Sequence, residues 1–296
     1  MTSKFPSNGR LMNRSILVTG SNGFIGRELV TNFKARGYQV FAMTRADGDT
    51  CQSKTWKKYP KADCVVHLAG LTFVPDSWKQ PEIFIESNSS STTYSLEYCQ
   101  ENSAKLIFLS TYMYSTKTGK SVSENDELSP ANPYALSKYL GENLCKYYSG
   151  FFGTRVAILR PFNVYGFGQA EKFLIPTIIR QAKVGDDITV MDSKPSRDYI
   201  YIDDLLEAIH RVVNSILDFD VFNLGTGNSY SVEEVVNVLA TVAGRKLRII
   251  SADHERQSEI NFTQADITHA IDVLGWKPKF SLFDGLTAIW NRSILR

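Results

Sequence analysis

Short apolar runs alternate with stretches of helical periodicity through the first half of the chain. Residues 16–18 are all apolar, and apolar residues then recur from 29 to 33 at the spacing of one helix face. A continuous apolar run indicates a strand that is covered on both faces, and the helical spacing indicates the crossover that follows it. The pattern therefore predicts a strand and a helix that closes at Gly37, followed by a second strand over 38–44.

The same alternation continues to residue 165. The link 45–61 is too brief for a full crossover helix, so it is predicted to be a loop or a single turn. Strands alternating with helices predict an α/β fold, a doubly wound parallel sheet of the Rossmann type. The further strands predicted here are 63–69, 105–111 and 155–160, and the helices are 81–102 and 132–148.

Beyond Gly166 the pattern becomes irregular. Its strands are predicted at 187–191, 199–202, 221–225 and 246–250, and its helices at 173–184, 203–216, 232–243, 267–274 and 282–290. This part predicts a smaller C-terminal α/β substrate lobe. We therefore divide the chain into an NAD(P)-binding domain, 1–165, with sheet returns near 197–226, and a discontinuous nucleotide-sugar-binding lobe, 166–296.

Three glycines, Gly20, Gly23 and Gly26, join the first strand to the first helix. Such a turn brings bare backbone N–H groups to a pyrophosphate at the positive end of the helix. A β-carbon would block that approach or the packing of the helix on the strand. Three glycines alone also fit a turn without a ligand, but the flanking strands and helix favour a dinucleotide site.

Composition is ordinary for a globular enzyme, with 43% hydrophobic and 22% charged residues among 296 and a net charge of +2. No polybasic run points to nucleic acid or to a membrane surface. The polar start, Met1–Arg14, lacks the apolar stretch of a signal peptide. The scattered cysteines and histidines predict no metal site and favour reduced thiols in a cytoplasmic protein.

Tyr134 and Lys138 stand four residues apart on a predicted helix and therefore share one face. A cation so close, with an oxidised nicotinamide nearby, is expected to lower the pKa of the tyrosine and let it exchange a proton with a sugar oxygen. Ser110, at the carboxyl end of the fourth strand, is placed to bond the same oxygen. The pair alone also fits an exposed helix face; with the glycine turn and Ser110 it indicates catalysis.

In combination these motifs resemble the extended short-chain dehydrogenases/reductases, which include nucleotide-sugar epimerases, dehydratases and ketoreductases. The resemblance covers about residues 15–290. It implies that Tyr134 and Lys138 are the catalytic pair and that Ser110, four residues before Tyr114, is the catalytic hydroxyl. The cofactor contacts that it implies are Gly20, Asn22, Gly23, Phe24, Ile25, Thr44, Arg45, Leu68, Ala69, Gly70, Tyr134, Lys138 and Pro161.

The resemblance also implies a nucleotide-diphosphate sugar as substrate. The residues implied to bind it are Ser110, Thr111, Tyr112, Asn163, Phe173, Arg197 and Arg256. Arginine suits a diphosphate because its planar guanidinium matches phosphate oxygens. Structural roles stay open for three of these residues: an ion pair with Asp198 or Asp203 for Arg197, a solvated surface position for Arg256, and a turn for Asn163.

Departures from the family pattern narrow the choice among the reactions that the family catalyses. Dehydratases of the family carry an adjacent Asp-Glu where this chain has Thr111 and Tyr112, so dehydration is disfavoured. Fucose-type epimerase/reductases place a Cys where Tyr112 stands, which disfavours that chemistry too. The second strand ends in Thr44-Arg45 rather than in an acid, and a cation suits the 2′-phosphate of NADP. NAD(H) stays open, because Asp47 or Asp49 is close enough in sequence to reach the ribose.

These features favour NADPH-dependent reduction of an NDP-4-keto-6-deoxyhexose at C4, in the synthesis of deoxysugar and polysaccharide precursors. The alternative is an NAD-dependent NDP-sugar 4-epimerase, which needs the same residues. A non-catalytic cofactor-binding regulator is a distant alternative, since such relatives typically lose the Tyr or the Lys. The resemblance further suggests a homodimer that packs helices 81–102 and 132–148 into a four-helix bundle.

Overall fold

The structure of the chain, a computed structural model, describes residues 14–114, 119–252 and 260–294. These residues form two compact units. The first unit comprises 14–114, 127–160 and 206–222, and the second comprises 119–126, 161–205, 223–252 and 260–294. Each unit is therefore assembled from separate stretches of the chain.

A six-stranded sheet contains the first five strands of the chain and one late strand, in the order β2-β1-β3-β4-β5-β9. Its strands are β1 (Ser15–Thr19), β2 (Gln39–Met43), β3 (Cys64–His67), β4 (Lys105–Leu109), β5 (Val156–Pro161) and β9 (Phe219–Leu224). Strands β1 to β5 pair in parallel. The predicted doubly wound parallel sheet is confirmed. The strand order reverses at β1, so the carboxyl ends of β1 and β3 flank the switch point, where ligands bind in this architecture.

The helices that follow these strands are α1 (Phe24–Ala35), α2 (Ser53–Trp56), α3 (Val74–Lys79), α4 (Pro81–Asn102) and α5 (Pro133–Phe152). The link after β2 contains one 3-10 turn, Arg45–Asp47, and the single turn α2, as the sequence predicts. Helix α4 keeps its serine-rich segment helical because buried hydroxyls bond inside the helix; Thr92 Oγ1, for example, donates to Asn88 O at 2.7 Å. The Asn132 side chain caps α5.

The second unit contains two small sheets. One has the order β10-β8-β6, built from β6 (Asn163–Tyr165), β8 (Ser196–Tyr201) and β10 (Ser229–Ser231). The other pairs β7 (Asp187–Val190) with β11 (Arg248–Ser251). The remaining helices of the chain are α6 (Leu174–Val184), α7 (Ile202–Asn214), α8 (Val232–Ala243), α9 (Thr268–Leu274) and α10 (Leu282–Ile294).

A buried carboxylate on β8 ties distant segments of the second unit together. The Asp198 oxygens accept hydrogen bonds from Thr226 N at 2.7 Å, Thr226 Oγ1 at 2.8 Å, Gly227 N at 2.9 Å and Ala265 N at 3.1 Å. Four donors satisfy a charge that would otherwise be costly to bury. Asp198 therefore fixes the segments around residues 226 and 265 against the sheet.

None of the helices in 14–114, 119–252 and 260–294 has the length and apolar content needed to cross a bilayer. Within the same ranges, His, Cys, Asp and Glu do not assemble into a group of three or more that could hold a metal ion.

Candidate active site

The turn after β1 is a cradle of bare backbone. Gly20 has φ +64°, and a β-carbon there would lie 2.9 Å from Ala69 N. A β-carbon on Gly26 would lie 2.3 Å from Gly20 O, well inside contact distance. Both positions therefore require glycine, one for its backbone angle and one for the close approach of α1 to the turn.

Thr19 joins the ends of β1 and β3 beside this turn. Its Oγ1 accepts hydrogen bonds from Leu68 N at 3.1 Å and Ala69 N at 3.0 Å, and it lies 2.9 Å from His67 Nδ1. Both lone pairs of the threonine are then used, so its proton points to Nδ1 and His67 carries its own proton on Nε2. Burial lowers the pKa of His67 to about 3, which keeps the ring neutral.

Asn88 of α4 connects the loop after β3 to α5. Its Oδ1 accepts from Leu71 N at 2.8 Å, and its Nδ2 donates to Ser137 Oγ at 2.7 Å. Ser137 immediately precedes Lys138, so this buried amide positions both the loop and helix α5. Asn88 was not predicted as a site residue. Its place inside a helix could have pointed to it, because asparagine is unfavourable there unless its amide is hydrogen-bonded.

The glycine turn fits the pyrophosphate of a dinucleotide. At Gly20 and Gly26, backbone atoms of neighbouring residues occupy the space that a β-carbon would need. Asn22 and Gly23, at the start of α1, are exposed. The twelve-residue helix α1 begins at Phe24 and Ile25 and directs its N–H groups to this turn. On the far side, Leu68 and Ala69 are half-buried and Gly70 is exposed. The structure thus places the residues that the sequence predicts to hold the cofactor around one turn; their role in binding stays a prediction.

The end of β2 carries an exposed arginine, Arg45, and an aspartate, Asp47, whose carboxylate is already hydrogen-bonded. Asp47 Oδ2 accepts from Thr44 N and from Thr44 Oγ1, each at 2.8 Å. The bond from the Thr44 hydroxyl holds the pKa of Asp47 below its ordinary value. Arg45 is exposed at the first position of the 3-10 turn. Thr44 therefore positions the turn, and Arg45 is the side chain of this turn that is exposed to solvent.

Lys138 lies on the face of a buried aromatic ring. Its Nζ is 4.6 Å from the ring centre of Phe108, on β4, and the His67 ring stacks on Phe108 with the ring centres 6.1 Å apart. Burial lowers the pKa of Lys138 to about 8. The ammonium is therefore charged at pH 7 and is held in place by the ring.

Tyr134 lies one helical turn before Lys138 and is only partly buried. Desolvation raises the pKa of Tyr134 to about 12, and a hydrogen bond with the Thr111 side chain opposes this rise. The sequence analysis expects Lys138 to lower this pKa, whereas in the structure desolvation dominates. Thr111 and Tyr112, on the loop after β4, are likewise half-buried.

Ser110 belongs to a buried polar network behind this surface. Its Oγ donates to Glu142 Oε1 at 2.7 Å. Arg160 donates from Nε to the same oxygen at 2.9 Å and from Nη2 to Oε2 at 2.6 Å. Its Nη1 donates to Tyr114 Oη at 2.8 Å. Burial alone would lower the pKa of Arg160, but the bonds to Glu142 raise it well above its ordinary value.

This network was not predicted, although two features of the sequence point to it. Glu142 is a carboxylate one turn after Lys138 on a face that is otherwise buried, and it is fully buried itself. Arg160 ends the apolar run of β5 and is 2% exposed. A buried acid and a buried base on neighbouring elements are expected to pair, because an unpaired buried charge is costly.

The remaining sequence-predicted residues that the structure describes lie in the second unit. Asn163, on β6, donates from Nδ2 to Asp198 O at 3.2 Å, and Arg197, on the neighbouring strand β8, donates from Nη1 to Ser196 O at 2.9 Å. One small sheet thus brings Asn163 and Arg197 together. Phe173 is the residue before α6, and Pro161 is the last residue of β5. Arg256 lies outside the described residues.

Comparison with known proteins agrees with this architecture. A profile of the NAD dependent epimerase/dehydratase family matches residues 16–225. An uncharacterised UDP-glucose epimerase of Bacillus subtilis is 32% identical over 92% of this chain and 95% of its own length. A GDP-6-deoxy-D-mannose reductase of Pseudomonas aeruginosa is 30% identical over 94% of this chain and 96% of its own.

Solved structures give the same result. RMD from Pseudomonas aeruginosa, complexed with NADPH, superposes with a TM-score of 0.85 at 27% identity, covering 95% of this chain and 97% of that one. Other solved relatives are complexes with NAD and a UDP-sugar. The glycine cradle, the Tyr134–Lys138 pair and these matches lead to one conclusion. The chain belongs to the NAD dependent epimerase/dehydratase family, the extended short-chain dehydrogenases/reductases, and is an enzyme of nucleotide-sugar chemistry that uses a nicotinamide dinucleotide.

Proposed function

We propose that the chain reduces an NDP-4-keto-6-deoxyhexose at C4 with NADPH and so supplies deoxysugar precursors, including those of polysaccharides. The observation that carries the proposal is the pairing of a partly exposed Tyr134 with a Lys138 ammonium held over Phe108, in the same unit as the glycine cradle. That arrangement provides a proton donor beside a fixed cation. In support, two relatives that match nearly the whole chain act on GDP-linked 6-deoxy sugars by name.

Tyr134 acts as the general acid. Reduction of the ketone needs one hydride at C4 and one proton at the oxygen, and the bound nicotinamide supplies the hydride. Tyr134 donates its phenolic proton to the new alkoxide, and the Ser110 hydroxyl holds that oxygen during the transfer. Lys138, charged at pH 7, donates hydrogen bonds to the cofactor ribose and stabilises the phenolate that Tyr134 becomes.

The preference for NADPH rests on Arg45. An exposed guanidinium directly after β2 suits a 2′-phosphate, and the nearby carboxylate of Asp47 is engaged by Thr44. We expect Arg45→Gln to raise the Kd for NADPH at least tenfold and to leave the Kd for NADH within twofold, whereas Arg45→Lys keeps part of the preference. An equal loss of affinity for NADPH and NADH in Arg45→Gln would contradict this role. Tightly bound NAD in the purified protein would assign the cofactor as NAD.

The 4-epimerase is a second candidate, favoured by the 32% identity to a protein named as a UDP-glucose epimerase. Epimerisation oxidises C4 and then reduces its other face, so it needs the same Tyr134 and Lys138. It predicts interconversion of UDP-glucose and UDP-galactose without net consumption of cofactor. Dehydration is not proposed, since Thr111 and Tyr112 stand where family dehydratases place their acids.

The second unit is proposed to bind the nucleotide sugar. Asn163 and Arg197 lie on adjacent strands, and guanidinium groups from Arg197 and Arg256 suit the two phosphates. Phe173 offers an aromatic side chain at the start of α6. The first unit is correspondingly proposed as the cofactor domain.

A homodimer formed through α4 and α5 is part of the proposal. Helix α5 exposes three aromatic residues near its end, namely Tyr147, Phe151 and Phe152. Contiguous exposed aromatic surface is typical of an interface. The four cysteines are free, which suits the reducing cytoplasm proposed for the enzyme. Light scattering that shows a monomer at micromolar concentration would contradict the dimer.

The decisive experiment mixes the purified chain with GDP-, dTDP- or CDP-4-keto-6-deoxyhexoses and NADPH and follows absorbance at the nicotinamide band. Reduction of any of these by the native chain, and a loss of about 100-fold or more in Tyr134→Phe, supports the proposal. Tyr139→Phe, on the same helix, is the matched control and keeps activity. Turnover in Tyr134→Phe within a few-fold of the native chain would overturn the assignment.

A further inference from the structure

Lys58 reaches back to the turn that follows β2. Its Nζ donates a hydrogen bond to Asp47 O, eleven residues earlier in the chain. Asp47 is the last residue of the 3-10 turn that begins at Arg45. The two ends of such a turn are about 4 Å apart along its axis, so the Lys58 ammonium lies near the backbone of Arg45. The side chains of Lys58 and Arg45 are both exposed.

The fold of the link between β2 and β3 holds Lys58 in this place. Two side chains of α2 bond to the backbone that precedes the helix. Thr55 Oγ1 donates to Asp49 O at 2.6 Å, and Trp56 Nε1 donates to Thr50 O at 2.9 Å. Trp56 is 3% exposed and belongs to the core of the first unit, so it anchors α2 there. The chain therefore folds back on itself and returns Lys58 to the 3-10 turn.

The two acids of this segment are hydrogen-bonded to the chain around them. Asp49 Oδ1 accepts from Cys51 N at 2.9 Å, and Asp47 Oδ2 accepts from Thr44 N and Thr44 Oγ1. The bond from the Thr44 hydroxyl and, to a smaller extent, the charge of Lys58 hold the pKa of Asp47 below its ordinary value. Lys58 is thus close enough to the Asp47 carboxylate to offset part of the repulsion that this acid would exert on an anion.

We propose that Lys58 is a second cation for the 2′-phosphate of NADPH and binds it together with Arg45. The inference rests on the proposed function, because it adds a residue to the proposed cofactor site. An ammonium has three N–H groups and the bond to Asp47 O uses one, so two can donate to phosphate oxygens. A phosphate monoester carries about 1.5–2 negative charges at pH 7, which suits two cations rather than one.

The test measures the binding of adenosine 2′,5′-bisphosphate and of 5′-AMP to the purified chain by calorimetry. The bisphosphate carries the 2′-phosphate and 5′-AMP lacks it, and neither contains a nicotinamide. The ratio of the two Kd values therefore reports the phosphate site independently of any reaction. The native chain is expected to bind the bisphosphate at least about tenfold more tightly than 5′-AMP.

Lys58→Gln removes the charge and keeps a side chain of similar length. It is expected to raise the Kd for the bisphosphate about fivefold and to leave the Kd for 5′-AMP within about twofold. The affinity for the bisphosphate should also fall less steeply with added salt than in the native chain, because one screened contact is gone. Lys58→Arg keeps the charge and should retain most of the preference. Lys54→Gln, at an exposed position of α2, is the matched control and should leave the ratio unchanged.

Three outcomes would overturn the inference. Equal weakening of both nucleotides in Lys58→Gln would mean that the lysine only supports the turn, and an equal effect of Lys54→Gln would mean a diffuse field rather than a contact. A preference that is lost in Arg45→Gln but kept in Lys58→Gln would assign the phosphate to Arg45 alone and leave the proposed NADPH preference intact. Failure of the chain to reduce any 4-keto sugar would overturn the proposed reaction, whereas a smaller ratio in Lys58→Gln would still support the phosphate site.

Discussion

The Lys138 ammonium and the Phe108 ring form a cation–π pair, with Nζ 4.6 Å from the ring centre. The two residues lie on α5 and β4, so the pair fixes helix α5 to the sheet. Phe108 in turn stacks on His67, and a β-carbon on Gly141 would lie 2.6 Å from its Cζ. The ring is thus held on several sides, and the position of the cation follows from it.

Removing the ring is expected to weaken cofactor binding. Phe108→Leu should raise the Kd for NADPH about tenfold, because a desolvated cation–π contact contributes about 1–2 kcal/mol to placing the ammonium. Fluorescence titration measures the Kd. Phe33→Leu is the matched control, since Phe33 is equally buried but packs on Tyr38. It should lower stability with no change in Kd; equal effects of both variants on Kd would refute the role of Phe108.

A methyl group at Gly26 is expected to destroy the cofactor cradle. Its β-carbon would lie 2.3 Å from Gly20 O and 2.7 Å from Ser21 Cα, both backbone atoms that cannot move aside. Gly26→Ala should therefore abolish NADPH binding in a fluorescence titration and lower the unfolding temperature. Gly150→Ala, in the body of α5 with open space around it, should instead stabilise the chain by about 0.5–1 kcal/mol. Unchanged NADPH binding in Gly26→Ala would contradict the cradle.

The depressed pKa of Lys138 predicts a pH-dependent stability. Burial lowers this pKa to about 8 from an ordinary 10.5, so between these pH values the unfolded chain binds a proton that the folded chain does not. Stability from this group then rises with pH through that window, with a slope approaching about 1.4 kcal/mol per pH unit. Below pH 8 the cost of the buried charge is present in full.

Urea unfolding of the native chain and of Lys138→Met at pH 7 to 10 isolates this effect, because the other titrating groups are common to both. The unfolding free energy of the native chain minus that of Lys138→Met should increase as the pH rises above 8. A constant difference between the native chain and Lys138→Met across this pH range would instead mean that the ammonium is solvated.

Tyr165 and Gly285 are packed so closely that they are expected to be coupled. A β-carbon on Gly285 would lie 2.0 Å from the Tyr165 hydroxyl, which has no hydrogen-bond partner among the described residues. Gly285→Ala should cost about 2 kcal/mol or more of stability, from overpacking. Tyr165→Phe should be neutral or stabilising, since it removes an unsatisfied polar group. The double variant should recover part of the loss in urea unfolding; strict additivity would contradict the contact.

The sequence predicted the parallel sheet because each of its first five strands contains a continuous apolar run, as in residues 16–18 and 156–159. It did not predict β6 and β10, which are three residues each and too short to show a period. It also missed α3, a six-residue helix that opens with Val74 and Pro75. Helix α5 continues to Phe152, beyond the predicted end near Tyr148, because its aromatic residues pack on one another and Gly153 supplies the stop.

The composition of the candidate site could be predicted, but the direction of its hydrogen bonds could not. Tyr134 and Lys138 share a helix, so their spacing alone fixes a common face. Ser110 and Glu142 are 32 residues apart, and their bond depends on how α5 lies against β4. That packing is a tertiary fact that local patterns do not contain. Arg256, which the resemblance assigns to the substrate, lies outside the described residues, so its role stays a prediction.

The hydrogen bonds of Asp198 predict the order in which the two units of the nascent chain fold. Every strand of the parallel sheet has been synthesised once residue 224 emerges, whereas the Asp198 carboxylate receives a donor from Ala265. Packing β8 before residue 265 is available would bury the Asp198 carboxylate without one of its donors, at a cost of about 1–3 kcal/mol. We therefore expect ribosome-bound chains to protect the sheet from protease some forty residues before they protect the second unit, in keeping with the way domains fold as units during synthesis.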